Sequence, residues 1–362
     1  MSVTVALSPR LRGQFHPLTV AAVDRLCDDA TAITFDVPPE LAEAYAFRAG
    51  QSLTVRRVVD GRDERRSYSI CAPEGSAPRV GVRMVPDGTF STWLVHEVRP
   101  GDRIEVGTPT GTFTPDAQAP GRHVLIAAGS GITPVLSIAA TVLSHPDSAV
   151  TLLYGNRRAD TVMFVDELAD LKDRYPDRFE LIHVLSREPR DVELFTGRLE
   201  ASRLAALLDQ LIDVDEVDHW WLCGPFDLVI DAEELLKLIG VRPERIHHEL
   251  FYVDDVPPPP VKHEEAPLDG ATSDVTIVLD GRSTTTSLSQ ETTVLEGAQR
   301  VRPDLPFACK GGVCGTCRAK VTDGEVTMRR NFALEDAEVD AGFVLTCQSL
   351  PRTEKVTVDY DA

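Results

Sequence analysis

Between Pro306 and Cys317 the chain reads Pro-Phe-Ala-Cys-Lys-Gly-Gly-Val-Cys-Gly-Thr-Cys, and a further cysteine, Cys347, follows at a distance. Cys309, Cys314 and Cys317 are spaced C-x4-C-x2-C, which with a remote fourth thiol is the ligand pattern of a plant-type [2Fe-2S] cluster. Four thiolates must converge on two irons, so three of them have to come from one tight loop. Gly311, Gly312 and Gly315 are expected to supply the positive φ and close backbone approach that such a loop needs. A structural zinc would rather use two short paired units, and Cys347 has no near cysteine partner. Nothing in the chain points to an oxidising compartment, so a disulfide framework is the weaker reading.

A chain of 362 residues predicts two or three domains. Its formal net charge of -20 argues against nucleic acid, since few cations are left to neutralise phosphates. The excess is concentrated between Arg157 and Asp255, where 24 Asp and Glu face 12 Lys and Arg; a solvated acidic surface explains this. Cys27, Cys71 and Cys223 remain outside the ligand set, an odd number that suits reduced thiols in a cytoplasmic protein. The start of the chain carries only the short apolar run Val3 to Leu7 ahead of Arg10 and Arg12, the wrong order for a secretory signal. From His123 to Pro146 there is no Asp, Glu, Lys or Arg, long enough for a membrane span. Gly129, Ser130, Gly131 and Pro134 interrupt it, however, and it reads as a buried strand, turn and helix. No membrane contact is expected.

Residues 15–119 predict short strands separated by Pro, Gly and Asp, an antiparallel barrel or sandwich. Candidate strands are Leu18 to Val23, Thr31 to Val37, Ser52 to Val55, Arg66 to Ile70 and Arg79 to Val85, with one helix near Phe90 to Val98. In Arg66-Ser67-Tyr68-Ser69 an arginine and a tyrosine stand at i and i+2, on one face of a strand. There a cation could meet a diphosphate while an aromatic plane lies against a planar ring. Gly88 to Thr92 marks a helix start whose free N-H groups, with Ser91 and Thr92, could cradle phosphate oxygens. Tyr68 could equally be an ordinary cross-strand aromatic.

Residues 120–253 change period. Strands at His123 to Ala128, Val150 to Gly155, Phe179 to Leu185 and His219 to Gly224 alternate with helices at Val135 to Leu143, Phe164 to Arg174, Arg198 to Leu211 and Phe226 to Ile239. This alternation predicts a doubly wound α/β parallel sheet, with ligands at the carboxyl ends of its strands. Gly129-Ser130-Gly131 alone is a weak nucleotide signal, because the third glycine of the fingerprint is missing. Asn156-Arg157, Ser186-Arg187 and Cys223-Gly224-Pro225, at the other strand ends, strengthen it. Residues 254–272 form a proline-rich tether, and residues 273–362 a small α+β unit: a hairpin turning at Asp280-Gly281, a helix from Thr293 to Arg300, the cysteine loop and a strand at Arg318 to Val321. His247 and His248 would point apart on a strand and read as surface histidines, not as an iron site.

The order Arg-Ser-Tyr-Ser, Gly-x-x-Ser, Gly-Ser-Gly-Ile-Thr-Pro, Cys-Gly-Pro and a cysteine-rich tail resembles the ferredoxin-NADP reductase superfamily with a fused plant-type ferredoxin. Within it, Cys309 to Cys314 and Gly342 to Gln348 are most similar to the reductases that serve phenylacetyl-CoA epoxidases in phenylacetate catabolism. The reductases of 3-ketosteroid 9α-hydroxylases share the layout and, with those of other Rieske-type ring hydroxylases, are the runner-up. The resemblance implies an FAD barrel, an NAD(P) domain and a β-grasp ferredoxin. It implies FAD held by Arg66, Ser67, Tyr68, Ser69 and the segment Gly88, Ser91, Thr92. It implies nicotinamide nucleotide at Gly129, Gly131, Thr133, Arg157, Ser186, Arg187, Gly224 and Pro225, with NADPH favoured over NADH. Arg83, Val85 and Phe251 join the cofactor-binding set, and Ser69, Cys223 and Glu249 are the implied catalytic positions.

Nicotinamide gives up two electrons together, whereas a [2Fe-2S] cluster takes one. A flavin can mediate between them. The expected activity is therefore that of an NAD(P)H:acceptor oxidoreductase, a flavoprotein that passes electrons through an iron-sulfur centre to the oxygenase component of a multisubunit monooxygenase. Two other classes compete: a reductase of small acceptors that works without the C-terminal unit, and a zinc-bearing nucleotide-sensing module.

Overall fold

The structure is a computed structural model that describes residues 14–59, 62–251, 271–334 and 336–362. The first unit contains β1 (Phe15–Cys27), β2 (Ala30–Asp36), β3 (Ser52–Val59), β4 (Arg62–Ser69), β5 (Arg79–Arg83), α1 (Thr89–His96) and β6 (Arg103–Gly107). Side chains alternate along these strands: Val80 and Val82 are fully buried on β5, as are Leu53 and Val55 on β3, because a strand sends successive residues to opposite faces. The strand order is β4-β3-β6-β1-β2-β5, antiparallel throughout. An Ile70 to Val80 bridge and a hydrogen bond from Cys71 N to Arg79 O of 2.8 Å join the two ends. The result is a barrel rather than a sandwich, filled by Leu18, Phe35, Leu53, Ile70 and Leu94. β6 escaped the sequence reading because Arg103 and Glu105 flank its two inward residues, Ile104 and Val106.

The second unit contains β7 (Arg122–Ala128), α2 (Ile132–Val142), β8 (Ala149–Asn156), α3 (Val165–Arg174), β9 (Phe179–Leu185), α4 (Ala201–Leu211), β10 (His219–Gly224), α5 (Phe226–Leu238) and β11 (Ile246–Leu250). The sheet runs β11-β10-β7-β8-β9 and every pairing is parallel. α2 and α3 pack on one face with Leu125 and Trp221; α4 and α5 pack on the other with Val124, Ile126 and Trp220. Neighbours of β7 are reached in opposite directions, so its carboxyl end is a topological switch point, where a crevice must open. The charge-free segment from His123 is β7 and α2, buried among other residues. Among the described residues no helix is long and apolar enough to cross a membrane.

The third unit contains β12 (Thr272–Leu279), β13 (Arg282–Ser289), α6 (Val294–Ala298), β14 (Arg318–Asp323), β15 (Val326–Met328), α7 (Asp336–Asp340), β16 (Phe343–Leu345), β17 (Ser349–Pro351) and β18 (Lys355–Asp359). Its main sheet is ordered β13-β12-β18-β14-β16, with β12 and β18 parallel and the other pairs antiparallel. Asp280 (φ 55°) and Gly281 (φ 66°) turn the hairpin, as two-residue loops with both φ values positive do. α6 crosses the sheet and buries Val294, Leu295 and Ala298 in its core. The proline tether lies, except for its last two residues, outside the described residues.

Candidate functional site

β4 presents different chemistry on its two faces. Arg66 and Tyr68 share one: the Tyr68 ring lies 6.3 Å from Phe90 at 27°, and the Arg66 guanidinium sits 5.7 Å from the same ring. Arg57 lies 5.0 Å from both Phe90 and Trp93. Arg66 is exposed and, among the described residues, in no ion pair. α1 begins beside it with no side chain capping its first turn, which leaves N-H groups free for an anion. The hydroxyls of Ser91 and Thr92 are directed inward rather than outward: both donate to Gly88 O, at 3.2 and 2.7 Å, and Ser91 Oγ accepts from Val85 N at 3.0 Å. They build the turn, and any phosphate is left to the backbone. Val85 itself is exposed.

On the opposite face of β4, Ser69 Oγ donates to Glu249 Oε2 at 3.0 Å. Glu249 stands beside Cys223 in the β10/β11 register, so the three positions implied as catalytic meet although they come from two units. Burial pushes the Glu249 carboxyl up to about 7, opposed by the Ser69 hydrogen bond. Burial also raises the Cys223 thiol well above its ordinary range, with the Glu249 charge adding to it, so Cys223 is a neutral thiol. Phe251 follows, half-buried against the face that holds α2.

The turn between β7 and α2 fits against this group closely. Gly129 has φ 56°; a Cβ on Gly131 would stand 2.1 Å from Cys223 O, so only glycine lets the two strand ends touch. Thr133 is buried and donates to Ser130 O at 2.9 Å, which stiffens the turn. Tyr154 Oη donates to Gly129 O at 3.0 Å. Beyond the turn lies a cavity of about 360 Å³ lined by Gly129, Asn156, Arg157, Ser186, Arg187 and Pro225, and also by Arg83 and Arg198. A Cβ on Gly224 would stand 3.2 Å from Ala128 N just behind it. Arg83 and Arg157 share the carboxylate of Asp29, each at 3.2 Å, whereas Arg187 is in no ion pair among the described residues. Asn156 is 7 % exposed and its side-chain amide has no hydrogen-bond partner. A buried amide left open on both ends is a feature a polar ligand would complete. Arg198 and Asp29 were not singled out from the sequence: each sits in a loop with no motif, and only the fold brings them to the crevice.

The four candidate cluster thiols fall into two pairs, Cys309 with Cys314 and Cys317 with Cys347, each within hydrogen-bonding reach. Its Cys314 neighbour lowers the Cys309 thiol against the effect of burial, and Cys317 likewise lowers Cys347. Among the described residues no three His, Cys, Asp or Glu side chains gather as a single ion would need. Two sulfurs for each of two irons is the division a [2Fe-2S] cluster asks for. Gly311 N donates to Cys309 Sγ at 3.3 Å, and Gln348 Nε2 approaches Cys347 Sγ at 3.5 Å while donating to Lys310 O at 2.8 Å. The glycine expectation needs one correction: Gly312 (φ 84°) and Gly315 (φ 64°) adopt positive φ, but Gly311 does not, and Lys310 takes the left-handed turn at φ 53° instead. Gln348 braces that turn. Behind the ligands, Tyr360 Oη donates to Thr346 Oγ1 at 2.8 Å, a support invisible at the level of motif.

All three units border one cavity of about 520 Å³, whose walls include Gln51 and Thr110 of the barrel, His248 and Glu249 of β11, and Cys314 of the cysteine loop. Val313 joins the apolar core beside α5, and Phe226 meets Phe332 edge-on at 5.7 Å. The surface reading of the two histidines has to be corrected. They do point apart, but His247 lies flat on Trp221, centroids 4.2 Å apart, and His248 Nδ1 is 3.3 Å from Glu233. β11 turns an apparently loose end of the chain into an edge strand, and that strand half-buries both rings.

Comparison with known proteins agrees with this division. Residues 17–114 match the oxidoreductase FAD-binding domain, residues 125–234 the oxidoreductase NAD-binding domain, and residues 277–352 the 2Fe-2S iron-sulfur cluster binding domain. The chain is 44% identical over 354 residues to one of the subunits of the 1,2-phenylacetyl-CoA epoxidase of Escherichia coli K12, covering 96% of this chain and 98% of that one. It is 33% identical to the ferredoxin reductase component of 3-ketosteroid-9-alpha-monooxygenase of Rhodococcus rhodochrous, covering 95% and 96%. Phthalate dioxygenase reductase shares the fold, with a TM-score of 0.59 at 22% identity over 95% of this chain and 98% of that one.

Proposed function

The chain belongs to the ferredoxin-NADP reductase superfamily, in the group that carries a fused plant-type [2Fe-2S] domain, and on that premise we propose that it feeds a multisubunit oxygenase acting on phenylacetyl-CoA. It is an electron-transfer reductase using NAD(P)H, FAD and a [2Fe-2S] cluster, and an oxygenase is its partner class. The observation that carries the finer assignment is the 44% identity to the epoxidase component over nearly the full length of both chains.

FAD, when bound, would supply the conversion between two-electron nicotinamide chemistry and the single-electron chemistry of the cluster. The residues have separable tasks in this reading. Arg66 and the open first turn of α1 hold the diphosphate, while Tyr68 supports the ring. Gly129, Gly131 and Pro225 admit the nicotinamide to the end of β7, and Cys223 presents a neutral sulfur to it. Arg187, with Arg198, takes the ribose phosphate that distinguishes NADPH from NADH. Ser69 and Glu249 close the β11 side of the crevice with their hydrogen bond; with its carboxyl near 7, Glu249 can hold a proton at neutral pH on the oxygen that does not accept from Ser69. Cys309, Cys314, Cys317 and Cys347 hold the cluster.

The test is anaerobic reduction with NADPH and NADH in parallel, followed by mixing with an oxygenase component and phenylacetyl-CoA under oxygen. Epoxide formed in proportion to NADPH consumed is the expected result. Reduction of flavin and cluster without product, but with product from a 3-ketosteroid 9α-hydroxylase oxygenase, would reassign the partner.

A further inference from the structure

The face of β4 opposite Arg66 carries Arg65, whose side chain is only 4 % exposed. What covers it is a segment 240 positions away in sequence: Nη1 donates to Leu305 O at 3.3 Å, and the guanidinium lies 4.4 Å from the Phe307 ring. Leu305 and Phe307 lead directly into the first cluster ligand, Cys309. On the barrel side, Arg65 is anchored by two hydrogen bonds to Asp63, Nε to Oδ1 at 3.1 Å and Nη2 to Oδ2 at 2.8 Å, and by the Phe15 ring at 5.0 Å. Lys310, one residue past Cys309, also lies over the Phe307 ring, at 4.6 Å.

A buried guanidinium is costly unless it is fully paired, and here its pairing needs partners from both units. It therefore fixes one relative placement of barrel and cysteine loop where a purely apolar contact could slide. Strand alternation adds the decisive point. Arg66, which faces the flavin side, and Arg65, which faces the cysteine loop, are adjacent residues on one strand, so a single rigid element registers both redox centres.

We propose that Arg65 is a positioning residue that sets the separation between flavin and cluster, acting through Leu305 and Phe307. The step it serves moves one electron and no atoms, so placement is all the residue can contribute. The inference rests on the reductase chemistry and not on which oxygenase is the partner, and its test needs no oxygenase.

In an anaerobic single turnover with NADPH, bleaching of flavin and of cluster can be followed at separate wavelengths in the intact holoprotein. Arg65→Ala should leave flavin reduction within about twofold of the parent and slow the following cluster reduction by roughly tenfold or more, since misplacement of even about 1 Å is costly for a positioned step. Arg65→Lys, which keeps the charge and loses the fork, should fall between. Phe307→Ala breaks the same contact from the other unit, and Arg65→Ala/Phe307→Ala should be no slower than the worse single variant. Hydrogen exchange of residues 303–309 gives a readout independent of turnover, and it should quicken in both single variants. Cluster reduction at the parental rate in Arg65→Ala, equal slowing of flavin reduction, additive effects in the double variant, or unchanged exchange would each overturn the proposal.

Discussion

The cysteine loop and the crevice at the end of β7 are the two candidate binding sites, and they are written into the chain in different ways. The loop's proposed ligands are thiols, and a metal cluster would constrain their spacing, so three of the four lie within nine residues, from Cys309 to Cys317. The crevice is assembled from the ends of β7, β8, β9 and β10, which are far apart in sequence, and it relies on field and shape. One site is specified by covalent reach, the other by topology. Damage to the first should therefore be all-or-none, and damage to the second graded.

The sharpest test of that contrast is Cys317→Ser. We expect loss of the cluster, seen as iron and acid-labile sulfide, and of cluster-dependent transfer, while NADPH still drives ferricyanide reduction at the flavin. Gly131→Ala ranks next, because the added methyl would meet backbone at Cys223. It should destabilise by about 3 kcal/mol in denaturant unfolding and weaken NADPH binding. Arg187→Ala should raise KM for NADPH by roughly tenfold, the worth of one charge-assisted contact, and leave NADH within about twofold. Equal loss for both nucleotides would break the assignment of that arginine to the ribose phosphate.

Glu249→Gln probes the place where the two sites approach each other. The Glu249 carboxyl is raised in the folded protein to about 7, so its contribution to stability is present below the unfolded value and is lost as pH rises through about 7. The variant should flatten that fall and remove any inflection near pH 7 in the rate of flavin reduction. The smallest effect is expected from His247→Phe. His247 is lowered by burial to about 4, so its contribution is present above about 6.5 and is lost as pH falls through about 4. The variant should unfold less readily in acid, with KM for NADPH and cluster content unchanged.

How much of this was legible follows from the same distinction. Period-two and βαβ patterns marked out the barrel strands and the parallel sheet, because burial on one or both faces leaves a clear apolar signature. β6 was missed where charged side chains alternate with few inward residues. The candidate thiols stand out by their spacing and the residues around them do not: Gln348 and Tyr360 act through hydrogen bonds across the fold. Ser69, Cys223 and Glu249 became a group through resemblance, and their contact depends on two strands from different units. Asp29, a turn residue in the barrel, pairs with two crevice arginines, and no local rule identifies such a residue.

The two-sided use of β4 has a mechanical corollary. If that strand slipped by a single residue against β3, every side chain would change sides at once; Arg65 would turn toward the flavin and Arg66 toward the cysteine loop. A one-residue shift of pairing would thus reverse both contacts in one stroke, since the side-chain period of a strand is two.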